Sequence, residues 1–337
     1  MDVFQHITRR DVMWRLSVGC ALLLAATAAT PATAAAAGAP VAQSLEDAWW
    51  TGPMLAPSPA TMPPGHALIE PYLFAVISNG HFDENGKRHS GPYEHDFGSL
   101  TYVLYGVTDH LTAGLIPRFS YNVPADGPSS SGIGFGDLTL QASYGLTKFS
   151  YDHRVPTSAL VVQETLPTGR YDRLTRPSDG FGAGAWTTTV ALYSQDYFWM
   201  PNGRILRTRL DVSYAISSAA SVHDVSVYGT PQGFAGQARP GDSLNVDLAG
   251  EYSVTSNWVL ALDIVYQHND STRVSGSAPG TPLLQAASGT SYSLGFAPAI
   301  EYNWNARVGL LLGVRIIQIG RNTTASVTPA IALNMVF

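Results

Sequence analysis

The chain has 337 residues, of which 13% are charged, and a formal net charge of −6. Its basic charge is nearly all arginine, lysine occurring only at Lys87 and Lys148, and with no basic cluster the balance argues against nucleic acid as a partner. Charge stands at about half the usual ~25% of a soluble protein, yet a mean hydropathy of +0.04 is too low for a bundle of apolar helices.

Residues 1–37 have the order basic, apolar, small that marks a secretory signal peptide. Arg9, Arg10 and Arg15 precede the apolar stretch from Ser17 to Ala29, and small residues from Pro31 to Ala39 offer cleavage sites between Ala34 and Ala39. The apolar stretch is short of the ~20 residues of a spanning helix. Cys20, the single cysteine, lies inside it, so the mature chain is expected to lack disulfides and thiolate metal sites. Residues 38–65 are rich in proline and show no periodicity. They are expected to form an extended periplasmic segment, which Trp49 and Trp50 could dock. No later apolar run reaches 18 residues, so a mature chain that spans a membrane must do so as a closed barrel.

From His66 onward the hydrophobic period is two, the signature of strands. Twelve stretches carry it: 66–78, 96–107, 110–122, 134–147, 157–167, 185–195, 204–216, 242–254, 258–268, 289–302, 306–319 and 323–337. Most exceed the ~9–11 residues that a tilted strand needs to cross a bilayer, whereas soluble strands average ~5–6. The connections sort by parity. Those at 79–95, 123–133, 168–184, 217–241 and 269–288 are long, and those between are short, such as Thr108-Asp109 and Thr255-Ser256-Asn257; only Gly320-Arg321-Asn322 departs from the pattern. An even strand count with short periplasmic turns and long outer loops is that of an outer-membrane barrel. The expected fold is therefore all-β, a transmembrane antiparallel up-and-down barrel of about 12 strands over 66–337. Its expected location is the outer membrane of a Gram-negative cell.

The alternation also sorts side chains by face. Arg118, Asp137, Glu164, Arg207, Arg209, Asp211, Asp247, Glu251, Asp263, Glu301 and Arg315 are expected in the lumen, either as a selective constriction or as an ion-pair network filling a narrow barrel. On the lipid face, Phe119, Tyr121, Trp186, Tyr214, Tyr266 and Tyr292 fall at the long-loop ends. Tyr144, Tyr252, Trp258, Tyr302 and Phe337 fall at the short-turn ends, giving two aromatic belts around an aliphatic band.

Four segments carry a family resemblance: Met62-Pro-Pro-Gly-His-Ala-Leu-Ile-Glu-Pro-Tyr72, Tyr105-Gly-Val-Thr-Asp-His-Leu111, Gly134-Phe-Gly-Asp-Leu-Thr-Leu-Gln-Ala-Ser-Tyr144 and Glu164-Thr-Leu-Pro-Thr-Gly-Arg-Tyr171. In this order they resemble the outer-membrane proteins of the MetA-pathway phenol-degradation family. The resemblance covers about residues 62–337. It implies uptake of small hydrophobic or aromatic solutes, and it brings no catalytic motif to transfer.

Two other classes stand beside a channel: a sealed structural or adhesive barrel, and an outer-membrane hydrolase. A hydrolase needs a serine near a histidine and an orienting acid or amide. His66, His110 and His268 fall at strand ends, His81, His89, His95, His153 and His223 fall in connections, and no G-x-S-x-G occurs. His81, His89 and His95 with Asp83, Glu84 and Glu94 match no common zinc spacing and suit a solvated outer loop. No enzyme activity, metal or cofactor is expected. The expected partners are membrane lipid, a small solute and the barrel-assembly machinery, whose signal the terminal strand ending in Phe337 resembles.

Overall fold

The computed structural model describes residues 41–152 and 154–337; the signal peptide read over 1–37, Cys20 and His153 lie outside them. The strands are β1 (Ala67–Phe82), β2 (Arg88–Gly106), β3 (Leu111–Ile116), β4 (Arg118–Val123), β5 (Gly134–Phe135), β6 (Leu138–Thr147), β7 (Thr157–Leu166), β8 (Thr187–Trp199), β9 (Ile205–Ser217), β10 (Ala220–His223), β11 (Ala235–Arg239), β12 (Ser243–Ser253), β13 (Trp258–Asn269), β14 (Arg273–Ala278), β15 (Thr281–Ala287), β16 (Ser291–Asn305), β17 (Val308–Arg321) and β18 (Thr323–Val336).

Fourteen of these form one antiparallel sheet that closes on itself where β1 pairs with both β2 and β18. They make twelve staves, because two staves are each broken in two. Pro117 separates β3 from β4, having no N–H to give the ladder. Gly136 and Asp137 separate β5 from β6, and there the Asp137 carboxylate accepts the amides of Gly169 and Ala183 instead, at 2.8 and 2.7 Å. The seam ends in a reciprocal pair: the Ala67 amide donates to the Phe337 carbonyl, and the Phe337 amide donates to the Ala67 carbonyl.

Alternation across the wall is sharp on β12, where Leu248 is 50% exposed toward lipid while Asp247 and Ala249 are each 2% exposed. On the opposite side of the lumen, β1 and β2 are apolar on both faces. Leu68, Tyr72 and Phe74 point inward into a cavity, while Leu73 is exposed outward.

Three regions differ from the sequence reading. The 79–95 connection is a continuation of β1 and β2 into a protruding hairpin, so β2 begins at Arg88 rather than near residue 96. Its charged and histidine side chains fall on both faces, Arg88 beside His89 and Glu94 beside His95, so outside lipid there is no hydrophobic pattern to read. The 217–241 and 269–288 connections carry β10, β11, β14 and β15, a four-stranded sheet in that order standing on the barrel rim. Its core is Val222, Phe234, Ala238 and Val274. The third region is the segment before β1. It is extended as expected, but residues 49–62 run inside the barrel rather than free in the periplasm.

Candidate functional site: the lumen and its inserted segment

The inserted segment begins and ends at the short-turn end of the barrel. The Trp49 amide donates to the Ser256 carbonyl at 3.2 Å in the β12–β13 turn. On the way out, Thr61 Oγ1 donates to the Asp109 carbonyl at 3.0 Å and the Met62 amide to Thr112 Oγ1 at 2.8 Å. Between these points the chain reaches the middle of the wall. The Asp263 carboxylate accepts the amides of Met54, Leu55 and Ala56 at 3.1, 3.2 and 3.0 Å. Glu301 Oε2 accepts those of Thr51 and Gly52 at 2.7 and 3.2 Å. A strand-free segment buried in the barrel must find partners for its N–H groups, and here two wall carboxylates supply five of them.

Further contacts fix the segment in place. Arg209 Nη1 donates to the Ala56 carbonyl at 2.6 Å, and Thr51 Oγ1 donates to Asn303 Oδ1 at 2.9 Å. The Arg207 guanidinium lies 4.4 Å over the Trp50 ring, a cation–π contact. Met54 packs with Ala297, Leu311 and Ala332. Gly52 adopts a φ of +126°, a region that favours glycine, and a Cβ there would stand 3.5 Å from the Arg209 guanidinium.

The wall behind the segment carries most of the charge. Arg207 makes a two-pronged, buried ion pair with Glu251, and Arg209 lies 3.6 Å from the same carboxylate. Arg209 Nε also donates to Gln195 at 3.0 Å. Asp211 and Asp247 are direct cross-strand partners. Both oxygens of Asp211, one of Asp247, Glu301 Oε1 and Arg315 Nε are buried with no hydrogen-bond partner among the described residues. Like charges placed directly opposite repel; the cations that line the neighbouring inner cavity are Arg207, Arg209 and Arg315.

Of the remaining charges expected in the lumen, Arg118 and Asp137 border a chamber near the outer loops. Glu164 is a correction: it points outward. Its cross-strand neighbours are Leu140 and Thr188, both exposed on the outer face, and Thr188 Oγ1 donates to its carboxylate at 2.6 Å. It shares parity with Leu160 and Val162, the exposed residues of β7. Two residues from the strand's outer end, its charge is spared the midplane cost.

Of the aromatics expected against lipid, Tyr144, Trp186, Tyr214, Trp258, Tyr266 and Phe337 are exposed on the outer wall. Trp258 packs on Tyr302 at 4.7 Å and Tyr266 on Tyr292 at 6.4 Å between ring centroids. Phe119 packs on Phe135 at 4.4 Å; Tyr121 is half-buried on β4, and the Tyr252 hydroxyl accepts from Asn202.

Among the described residues the histidines do not converge on one site. His89 bonds Asp83 at 2.8 Å and stacks on His81 at 5.3 Å, while His223 and His268 each sit 3.4 Å from a different aspartate. Among the described residues no three His, Cys, Asp or Glu side chains are placed to hold a metal. Asp83 lies in the outer hairpin, and its hydrogen bonds from His89 and from the amides of Lys87 and Asn85 hold its pKa down at about 2.

Two open spaces lie along the lumen. The outer chamber, about 460 Å³, is bordered by Phe119, Phe181 and Tyr228. The inner cavity, about 560 Å³, runs beside the inserted segment as far as Ala306 and Val336 at the short-turn end. Phe74 and Leu100 border both. The Phe74 ring lies across Gly98, its cross-strand partner, where a Cβ would come within 2.3 Å of it. Sequence reasoning missed Glu70, Tyr72 and Phe74 as lumen residues; with β1 apolar on both faces, alternation alone could not say which face was wet.

The profile of the MetA-pathway of phenol degradation family matches residues 90–331. No curated protein sequence matches the chain. Among solved structures, an outer membrane channel from Pseudomonas putida F1 is 18% identical with a TM-score of 0.61, over 82% of this chain and 97% of that one. The Pseudomonas putida toluene transporter TodX is 13% identical with a TM-score of 0.34, over 82% and 92%. The first likeness bears on the fold; the second is too distant to bear on anything. The barrel resides in the outer membrane of a Gram-negative cell.

Proposed function

Since the chain belongs to the MetA-pathway phenol-degradation family, we propose that it is an outer-membrane channel that passes small hydrophobic or aromatic solutes inward. The observation that carries this reading is the apolar side of the lumen. Barrel interiors are ordinarily polar. Here Leu68, Phe74, Val76, Leu100 and Ile317 line one side of the inner cavity, facing the inserted segment. Apolar surface turned toward water is costly at about 25 cal/mol per Å², and a hydrophobic solute removes that cost while it passes.

The two spaces meet at Phe74 and Leu100, so the route runs from the loop chamber, past that pair, and down beside the inserted segment. The charged wall holds the segment at a fixed depth, leaving the solute the apolar side. Polar groups at the cavity edge, such as Tyr72, Tyr102 and Glu70, suit a solute with one polar substituent on an apolar ring.

The test is uptake of a labelled aromatic hydrocarbon by cells lacking the gene, with and without the chain restored. Restored uptake that falls when Leu68 and Val76, both on the apolar side of the inner cavity, are exchanged for serine is the expected outcome. Equal uptake in the presence and absence of the chain would sink the reading.

A further inference from the structure

The outer four-stranded sheet continues the barrel wall beyond the membrane. β9 leads into β10, β11 into β12, β13 into β14 and β15 into β16, each through two to three residues. Its core face, with Val222, Phe234, Ala238 and Val274, packs on Tyr228, which borders the outer chamber. That face therefore looks over the lumen. The other face continues the outer wall, and it carries Arg239 and Arg273.

These two arginines are direct cross-strand partners on β11 and β14. Both are exposed, next to the buried Ala238 and Val274. Neither makes an ion pair among the described residues. The nearest acids along the chain are otherwise engaged: Asp242 accepts the Tyr214 hydroxyl at 3.3 Å, and Asp270 lies 3.4 Å from His268. Two cations directly opposite each other on a sheet repel, and no ion pair among the described residues offsets them.

Their height supplies the missing anion. Tyr214, Tyr266 and Tyr292 mark the outer aromatic belt, at the depth where such rings meet lipid headgroups. Arg239 and Arg273 are each three residues from the aspartates at this rim, about 10 Å along a strand. Farther round the same rim, Arg321 lies 5.7 Å over the Tyr292 ring and donates to Thr290 at 2.6 Å. Clustered cations at the membrane surface recruit anionic headgroups, and paired guanidinium forks match phosphate oxygens bidentately.

We propose that Arg239 and Arg273 form a binding site for the phosphorylated headgroup of an outer-leaflet glycolipid. The lipid clamps the outer sheet against the membrane and so steadies the wall of the outer chamber. The site is independent of what the lumen carries.

The experiment uses the full barrel purified in a zwitterionic detergent, with binding of lipid A measured by native mass spectrometry and titration calorimetry. The wild type is expected to bind bisphosphorylated lipid A at least tenfold more tightly than the dephosphorylated lipid. Arg239→Gln/Arg273→Gln should lose that preference, and the double lysine variant should fall between. Exchanging Arg204 and Arg307, on the opposite rim, for Gln should change nothing. Heat-modifiable mobility on gels reports folding for each variant.

A wild type indifferent to the phosphates overturns the proposal, and this comparison decides even if a variant fails to fold. So does unchanged binding by the double Gln variant. Inorganic pyrophosphate is the free-anion probe: if it binds as tightly as the lipid, the site is one for soluble phosphate and the lipid assignment falls.

Discussion

Phe74 can lie flat across the wall only because its partner Gly98 has no side chain, and this one pairing sits where the two lumen spaces meet. Gly98→Ala would place a methyl within 2.3 Å of the ring, which must then rotate into the lumen. Solute flux through Gly98→Ala is expected to fall severalfold, and flux through Phe74→Ala to rise, in proteoliposome uptake assays. Equal flux in both variants and the wild type would remove Phe74 from the route. Asp83 plays a different part at the tip of the outer hairpin. Its depressed pKa means that the ionised form is favoured by the folded hairpin, so its contribution is present above the unfolded carboxylate value of ~3.9 and is lost as pH falls through about 2. Protection of the Asn85 and Lys87 amides, taken as their exchange relative to the unstructured chain at the same pH, should therefore hold at pH 4 and fall toward pH 2. In Asp83→Asn, which keeps the shape but not the charge, protection should be weaker at pH 4 and match the wild type near pH 2.

At the scale of elements, the inserted segment is held in a different way from the strands around it. It has no ladder of its own and hangs on side-chain carboxylates. Asp263→Ala leaves three buried amides without acceptors, at about 1–3 kcal/mol each, more than so short a segment can bear. Single-channel conductance of Asp263→Ala should rise severalfold over the wild type while the barrel's heat-modifiability is retained; an unchanged conductance would mean that the segment does not restrict the lumen. Little of this was legible in the sequence. The staves were, since β9, β12, β13 and β16 alternate acids and arginines with Leu, Val and Tyr, and that contrast survives in any barrel register. Alternation alone accordingly puts Asp211, Asp247, Glu251, Asp263 and Glu301 on the inner face. It says nothing of the inserted segment, because the groups that hold that segment are backbone N–H groups, which every residue but proline carries. The rim sheet was hidden for a related reason: β10, β11, β14 and β15 are short and rich in Ala, Ser and Gly, and the β11–β14 pairing that joins the two hairpins reaches from Ala235 to Ser277. Glu164 was misplaced where the alternation around Leu160 and Val162 already assigned it outward.

For the whole molecule, closure decides whether a barrel exists at all, since an open edge cannot persist in lipid. β1 meets β18 along the seam, and its periplasmic end is the reciprocal bond between Ala67 and Phe337. Phe337 thus has two separable attributes: a backbone that ends the seam and a ring, 62% exposed, on the outer wall. We expect the ring to be the signal for the assembly machinery and the backbone to serve the seam. Phe337→Ala keeps the amide and the carbonyl, so the protein refolded into detergent should melt close to the wild type. In cells, however, the amount of folded barrel in the outer membrane should drop severalfold. Deleting the residue should lower both, because Ala67 loses its partner as well. If Phe337→Ala reached the membrane in normal amounts, the ring would be one more member of the inner aromatic belt. Assembly would then depend on the alternation of Ile331, Leu333 and Met335 alone.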